Sequence, residues 1–193
     1  LILTSQSPYL EVYLQIGEER FPVMTHLVGV YNLQNIILAA ACGLKLGVPG
    51  EDIADAIASY KPENHRSQVV EGEHNRIILD AYNANPTSMK SAIDSFRLLK
   101  ADKKILILGD MLELGEKSEE EHLKVINDLH SKKTKGVILV GSMFQKNADK
   151  FGFRSFSDAT GLADYLNKNK FSGFSILIKG SRGIGLEKIY DLL

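Results

Sequence analysis

From Arg76 onward, short apolar runs alternate with amphipathic segments of helical period, and this alternation constrains the fold more than any other feature of the chain. RIILDA, KKILILG, GVILVG, FRSF and FSILIKG read as strands, most of them continuously apolar, as strands covered on both faces of a parallel sheet must be. Between them, Pro86 to Leu99, Ser118 to His130, Met143 to Phe151 and Asp158 to Asn169 read as helices, with a last one from about Ile184. Such repeated units, joined by right-handed crossovers, predict a doubly wound, mostly parallel α/β sheet with helices on both faces. Asn85 before Pro86 predicts an N-cap followed by the first helical residue. Ser118 with Glu121 predicts a capping box.

The first third has a different organisation. Leu10 to Val23 reads as a strand pair turning at Gly17, with Pro22 marking an edge. Two helices follow. Asn32 is expected to cap the first, with Ile36, Ile37, Ala40, Ala41 and Leu44 as its buried stripe, and Gly47 with Pro49 ends it. The second, from about Glu51 to Tyr60, is expected to bury Ile53, Ala54, Ile57 and Ala58 and to stop before Pro62. A hairpin and two helices hold little core for independent folding. Residues 1–66 therefore read as the tail of a larger domain, and residues 67–193 as a whole one, joined through the connector KPENHRSQVV. The opening LILTSQSP has no initiator Met and no signal-peptide pattern, so the chain reads as a piece of a longer parent.

Twenty-three Lys and Arg against 24 Asp and Glu leave a net charge of -1, too weak a field to gather nucleic acid or an acidic membrane. Any anion site must be local. The single cysteine, Cys42, lies in the apolar run Ile36 to Leu46, which excludes an internal disulfide and predicts a buried, inert thiol. No apolar stretch reaches the roughly 18 residues of a membrane span, so a soluble, cytoplasmic protein is expected. His26, His65, His74, His122 and His130 show no metal-ligand spacing, and no protein-only metal site is expected.

Ligands of open parallel sheets bind beyond the carboxyl ends of the strands, which directs attention to three loops. These are DAYNANP (Asp80 to Pro86), GDMLELG (Gly109 to Gly115) and KGSRG (Lys179 to Gly183), all expected at one sheet edge. In the first, Asp80, Tyr82 and Asn83 remain once capping has explained Asn85 and Pro86. GDMLELGEKS is not a phosphate loop of the form GxxxxGK[ST], because its spacing is wrong and its three carboxylates would repel a triphosphate. KGSRG sets Lys179, Ser181 and Arg182 where glycines let an anion approach backbone N–H groups. Asn32 and Asn35, three residues apart, share one face of a helix start, where two amides can read the edge of a base. Arg66 lies near the junction of the two regions.

From about Leu27 onward these motifs together resemble the Mur ligases of peptidoglycan synthesis. GVYNLQN is similar to the family's GxHNxxN, with Tyr31 where His is usual, and the three loops are similar to those of the member that adds D-alanyl-D-alanine. The resemblance implies an ATP-dependent amide ligase that joins D-alanyl-D-alanine to UDP-N-acetylmuramoyl-tripeptide through an acyl phosphate. It implies the tail of the central ATPase domain followed by a C-terminal domain with a Rossmann-like sheet. Asn32 and Asn35 would contact adenine, Arg66 the ribose or phosphates and Asp80 the ribose. Tyr82, Asn83, Lys179, Ser181 and Arg182 would face the incoming dipeptide. ATP and Mg²⁺ are the implied cofactors, with the phosphate loop, the magnesium ligands and a carbamylated lysine expected upstream and this stretch alone expected to be inactive. Domain closure about residues 61–66 would assemble the site. Two other readings stay open: another Mur or folylpolyglutamate synthase-like ligase, and a non-catalytic nucleotide- or peptide-binding module.

Overall fold

The computed structural model describes residues 1–6, 8–63 and 66–193; Ser7, and Asn64 and His65 of the expected connector, lie outside the described residues. The chain opens with an antiparallel sheet of β1 (Ile2–Gln6), β2 (Leu10–Ile16) and β3 (Glu19–Met24), one strand more than the expected hairpin. In β2 the alternation is literal, with Leu10, Val12 and Leu14 buried and the residues between them exposed. The helices α1 (Asn32–Lys45) and α2 (Gly50–Ser59) follow, and Ile36, Ala40, Ile53, Ala54 and Ile57 complete a core with the buried side chains of β2 and β3.

Two expectations about α1 fail. Tyr31 already has helical dihedrals, so Asn32 is the first helical residue and not a cap; its side-chain N–H donates to Val28 O at 2.8 Å. The buried stripe reduces to Ile36 and Ala40, whereas Ile37, Leu38, Ala41 and Leu44 are exposed, and Cys42 is exposed too.

The larger sheet runs β4-β5-β9-β6-β7-β8, built from β4 (Gln68–Glu71), β5 (Arg76–Asp80), β6 (Lys104–Gly109), β7 (Val137–Val140), β8 (Arg154–Phe156) and β9 (Ser175–Lys179). All its neighbours are parallel except β4, an antiparallel edge strand formed by residues expected in the connector. One face carries Ile78, Leu106, Leu108, Leu139 and Leu177 against α3 (Pro86–Leu98), α4 (Ser118–Ser131) and α5 (Ser142–Ala148). The other carries Ile77, Leu79, Ile107, Ile138, Ile176 and Ile178 against α6 (Ala159–Lys168) and the 3₁₀ segment Leu186–Leu192, where the last expected helix stands. Burial on both faces explains the uninterrupted apolar strands. Among the described residues no helix is long and apolar enough to cross a membrane.

The caps divide. Asn85 Oδ1 accepts from Ser88 N–H at 2.8 Å and Ser88 Oγ from Asn85 N–H at 3.1 Å, a complete capping box with Pro86 at the first helical position. Asn85→Ala is expected to lower stability by about 1 kcal/mol. A shifted urea midpoint with unchanged slope reports this, and an unmoved midpoint would show that the box contributes nothing. The box expected at Ser118 and Glu121 is absent, because the 3₁₀ turn Gly115–Lys117 runs straight into α4 and no extended residue precedes it.

Candidate functional site at the sheet edge

Because β5, β9 and β6 are neighbours, the three loops following them meet at one edge. Lys179, 1% exposed, donates through Nζ to Asp80 Oδ2 at 2.6 Å and to Asn83 O at 3.3 Å. Ser181 Oγ accepts from Leu112 N–H at 2.9 Å and donates to Ala84 O at 3.4 Å, so this one hydroxyl joins all three loops. A Cβ on Gly180 would stand 3.0 Å from Gly109 Cα, and only glycines let these two backbones pass so closely. Asp110 is buried, its oxygens accepting from the N–H groups of Met143 at 2.8 Å and Phe144 at 2.9 Å at the start of α5. His122 Nε2 accepts from Met111 N–H at 2.9 Å, which leaves Nδ1 to donate to Ser118 O at 2.6 Å. GDMLELG is thus anchored by its first acid rather than presenting it to a ligand.

Between this edge and the first body lies a cleft of about 930 Å³. Its apolar wall includes Ile36, Ile53 and Ile57; its polar lining includes Asn32, Asn35, Arg66, Asp80, Tyr82, Asn83 and Lys179. Asn32 is buried, and its Oδ1 accepts from Asn35 Nδ2 at 2.8 Å. With Asn32 committed to Val28 on its other side, the exposed Asn35 amide is held in place with its own Oδ1 unpaired among the described residues. An apolar wall beside a fixed amide suits the face and edge of a purine.

The two bodies are tied across this cleft. Tyr31 Oη and Ser67 Oγ are 2.8 Å apart, Ser67 N–H donates to Asp80 Oδ1 at 3.2 Å, and Asp80 in turn holds Lys179. The ring of Tyr31 lies over Gly29, where a Cβ would come within 2.3 Å of it, so the GVYN turn requires that glycine. Burial first, and then the charge of Asp80, push the Tyr31 phenol well above its ordinary range, while the bond to Ser67 acts in the opposite sense. Tyr31 therefore stays a neutral hydroxyl.

Arg66 and Tyr82 also border a second, open groove of about 1260 Å³, which Arg182 enters from KGSRG. The Arg66 guanidinium lies 4.0 Å from the Tyr82 ring centroid and that of Arg182 lies 5.8 Å from it, so one phenol ring holds two cations. The residues expected at the site thus fall into three places. Asn32, Asn35, Arg66, Asp80, Tyr82, Asn83 and Lys179 share the first cleft, and Arg182 shares the second with Arg66 and Tyr82. Ser181 is buried and lines neither, and the polar groups of both Ser181 and Lys179 are engaged within the protein. Ser67 and its contact with Tyr31 had no signal in the sequence beyond the tyrosine's departure from the motif. Among the described residues no group of three or more His, Cys, Asp or Glu is placed to hold a metal ion.

The profile of the family described as "Mur ligase, glutamate ligase domain" matches residues 65–182. The UDP-N-acetylmuramoyl-tripeptide--D-alanyl-D-alanine ligase of Bacillus subtilis is 33% identical over 172 residues, covering 84% of this chain and 38% of its own length. The ligase of the same name from Escherichia coli is 29% identical over 95% of this chain and 41% of its own length. The crystal structure of MurF from Acinetobacter baumannii superposes with a TM-score of 0.81 at 27% identity, over 97% of this chain and 42% of that one. The chain therefore spans about two fifths of the length of the proteins it resembles.

Proposed function

The chain belongs to the Mur ligase family, and from that premise we propose that it supplies the nucleotide-edge and acceptor surfaces of an ATP-dependent ligase. That ligase adds D-alanyl-D-alanine to UDP-N-acetylmuramoyl-tripeptide in peptidoglycan synthesis, in the cytoplasm, where ATP is available. The names of the Bacillus and Escherichia relatives support the substrates, and their greater length makes the activity a property of a protein of that size. Residues 1–66 are read as the end of the central ATP-binding domain and residues 67–193 as the C-terminal domain. The exposed Ile37, Leu38, Leu44 and Leu46 of α1 and its end fit this reading, since an apolar helix face asks for more protein against it.

The observation that carries the proposal is the cleft in which Asn35, the apolar wall, Arg66 and Asp80 converge from both bodies. Asn35, oriented by Asn32, reads the adenine edge, while Asp80 and Arg66 border the ribose and phosphates. Lys179 holds Asp80 for this task, and Ser181 holds the loops. In the reaction the tripeptide carboxylate accepts the γ-phosphoryl group. The dipeptide amine then attacks the acyl carbon, forms the C–N bond through a tetrahedral intermediate, and releases phosphate. Tyr82, Asn83 and Arg182 face the acceptor and orient it, which is where positioning contributes to rate. Mg²⁺ neutralises phosphate charge in such transfers; no ligand for it is assigned among the described residues.

Arg182→Ala, in a protein of the relatives' length, is expected to raise the KM for D-alanyl-D-alanine about tenfold, or roughly 1.4 kcal/mol. The cost is modest because Arg182 is exposed. The KM for ATP stays unchanged. Equal kinetics for both substrates would remove Arg182 from the site, and ligation of single amino acids or glutamyl tails in place of the dipeptide would overturn the substrate assignment.

A further inference from the structure

The larger sheet has a second groove, at the edge opposite the three loops. At the amino ends of β6, β7, β8 and β9, which run parallel, the turns that enter the strands line an open groove of about 670 Å³. Phe151 and Phe153 reach it from the core on one face of the sheet, and Tyr165, Phe171 and Phe174 from the core on the other. Its Lys and Arg residues, Lys133, Lys135 and Arg154, are exposed, and among the described residues that line it there is no Asp or Glu. None of these three forms an ion pair among the described residues, whereas the neighbouring Lys132 is held by Asp94 and Asp128.

Local structure does not account for these cations. Lys133 follows the C-cap of α4; its N–H donates to His130 O and that of Thr134 to Leu129 O, both at 2.9 Å, the paired bonds of a Schellman turn. The turn holds Lys133 in the left-handed region at φ 50°, where glycine stands at least cost. The negative end of the helix dipole favours a cation there, but Lys132 already supplies one, and Lys135 and Arg154 lie beyond the helix where β7 and β8 begin.

The rings, by contrast, are engaged within the protein. The Arg154 guanidinium lies 4.4 Å from the Tyr165 centroid and donates to Tyr165 Oη, Lys103 Nζ lies 5.4 Å from the centroid of Phe174, and Phe151 meets His130 edge to face at 5.3 Å. Stacked bases need open ring faces, so a nucleic-acid strand is poorly matched, and a chain charge of -1 gives it no attraction from afar. The groove offers unpaired cations beside apolar rings, which complements carboxylates beside an apolar side chain. We propose that it docks an acidic segment of a partner protein, with an apolar side chain among the rings and carboxylates on Lys133, Lys135 and Arg154. The clefts at the opposite edge stay free while the groove is occupied.

Fluorescence anisotropy of the 193-residue chain tests this with a labelled dodecapeptide in which pairs of Glu alternate with single Leu or Phe. Its controls are the same peptide with Gln for Glu, the same peptide with Ser for Leu and Phe, and an oligothymidylate of equal length. The acidic apolar peptide is expected to bind roughly tenfold more tightly than each control. In an NMR titration it shifts the amides of Gly136 and Gly152 and leaves those of Asn35 and Tyr82 in place. Lys133→Gly, which suits the left-handed turn, keeps or raises the thermal midpoint and weakens the peptide about tenfold. Equal binding of the Gln or the Ser peptide would overturn the proposal, by removing the role of the carboxylates or of the rings. Equal or tighter binding of oligothymidylate, or no binding of any probe, would overturn it too. Should Lys133→Gly lower the midpoint, Lys135→Gln decides from outside the turn: weaker peptide binding supports the docking site, and unchanged affinity overturns it.

Discussion

Lys179→Met is expected to destabilise the chain by about 3 to 5 kcal/mol, the cost of removing one member of a buried ion pair. Lys179 is the last residue of β9, in the middle of the sheet, and its side chain is 2% exposed. Met fills the same volume, so the loss measures charge and hydrogen bonding rather than a cavity. What remains is Asp80, 14% exposed in its side chain, with the Ser67 N–H as its hydrogen-bond donor. Its partial exposure places the effect at the lower end of the range. The double substitution Asp80→Asn with Lys179→Met is expected to recover much of the loss, because no charge is then left unpaired. Urea denaturation of the four proteins closes the cycle. A single-variant cost below about 1 kcal/mol would show that the pair is no stronger than a surface one.

The second large effect is an absence of turnover. With ATP and Mg²⁺, the 193-residue chain is expected to release no phosphate above a heat-treated control, while it still binds ADP in the cleft beside Asn35. No GxxxxGK[ST] occurs in the sequence, and the nearest stretch, GDMLELGEKS, has turned Asp110 inward to the start of α5. Without fixed donors at the transferred phosphoryl group, its developing charge has nothing preorganised to meet it, and such loss costs on the order of 10²- to 10³-fold per donor. Magnesium-dependent release well above the control would place the ATPase centre inside this chain and overturn the division of labour proposed here.

How much of this was legible depended on whether local pattern or tertiary contact decides a feature. Four of the five parallel strands could be read because strands covered on both faces leave little room for a polar position, and the sequence shows it at Ile77 to Leu79, Ile105 to Leu108, Val137 to Val140 and Ile176 to Ile178. β4 was hidden because QVVE is short, lies at an edge and follows a Pro-containing connector. In α1 almost every face is apolar, so periodicity could not choose between Ile36 and Ile37. Capping motifs failed at Asn32 and Ser118, where a preceding turn already had helical dihedrals, and succeeded at Asn85, which follows an extended backbone. At the site, the loops gave away Asp80, Tyr82 and Arg182 by their position after strands. That Lys179 and Ser181 would face inward was not legible, because their partners lie about a hundred residues away in sequence.

The place of β9 between β5 and β6 also bears on how the protein is made. Asp80 and Lys179 are separated by 99 residues, so at ordinary elongation rates the ribosome takes roughly 5 to 20 s to deliver the second after the first. During that interval the nascent chain carries β5, and later β6, with a row of unpaired backbone groups facing the gap that β9 will fill. Such edges invite pairing with other chains. The sheet closes only when its central strand is inserted, after every other strand of that sheet has been synthesised, and the same event brings Lys179, Ser181 and Arg182 to Asp80 and Tyr82. Synthesis therefore leaves a window in which strand edges stand unpaired, and the edge that carries the three loops cannot form before that window ends.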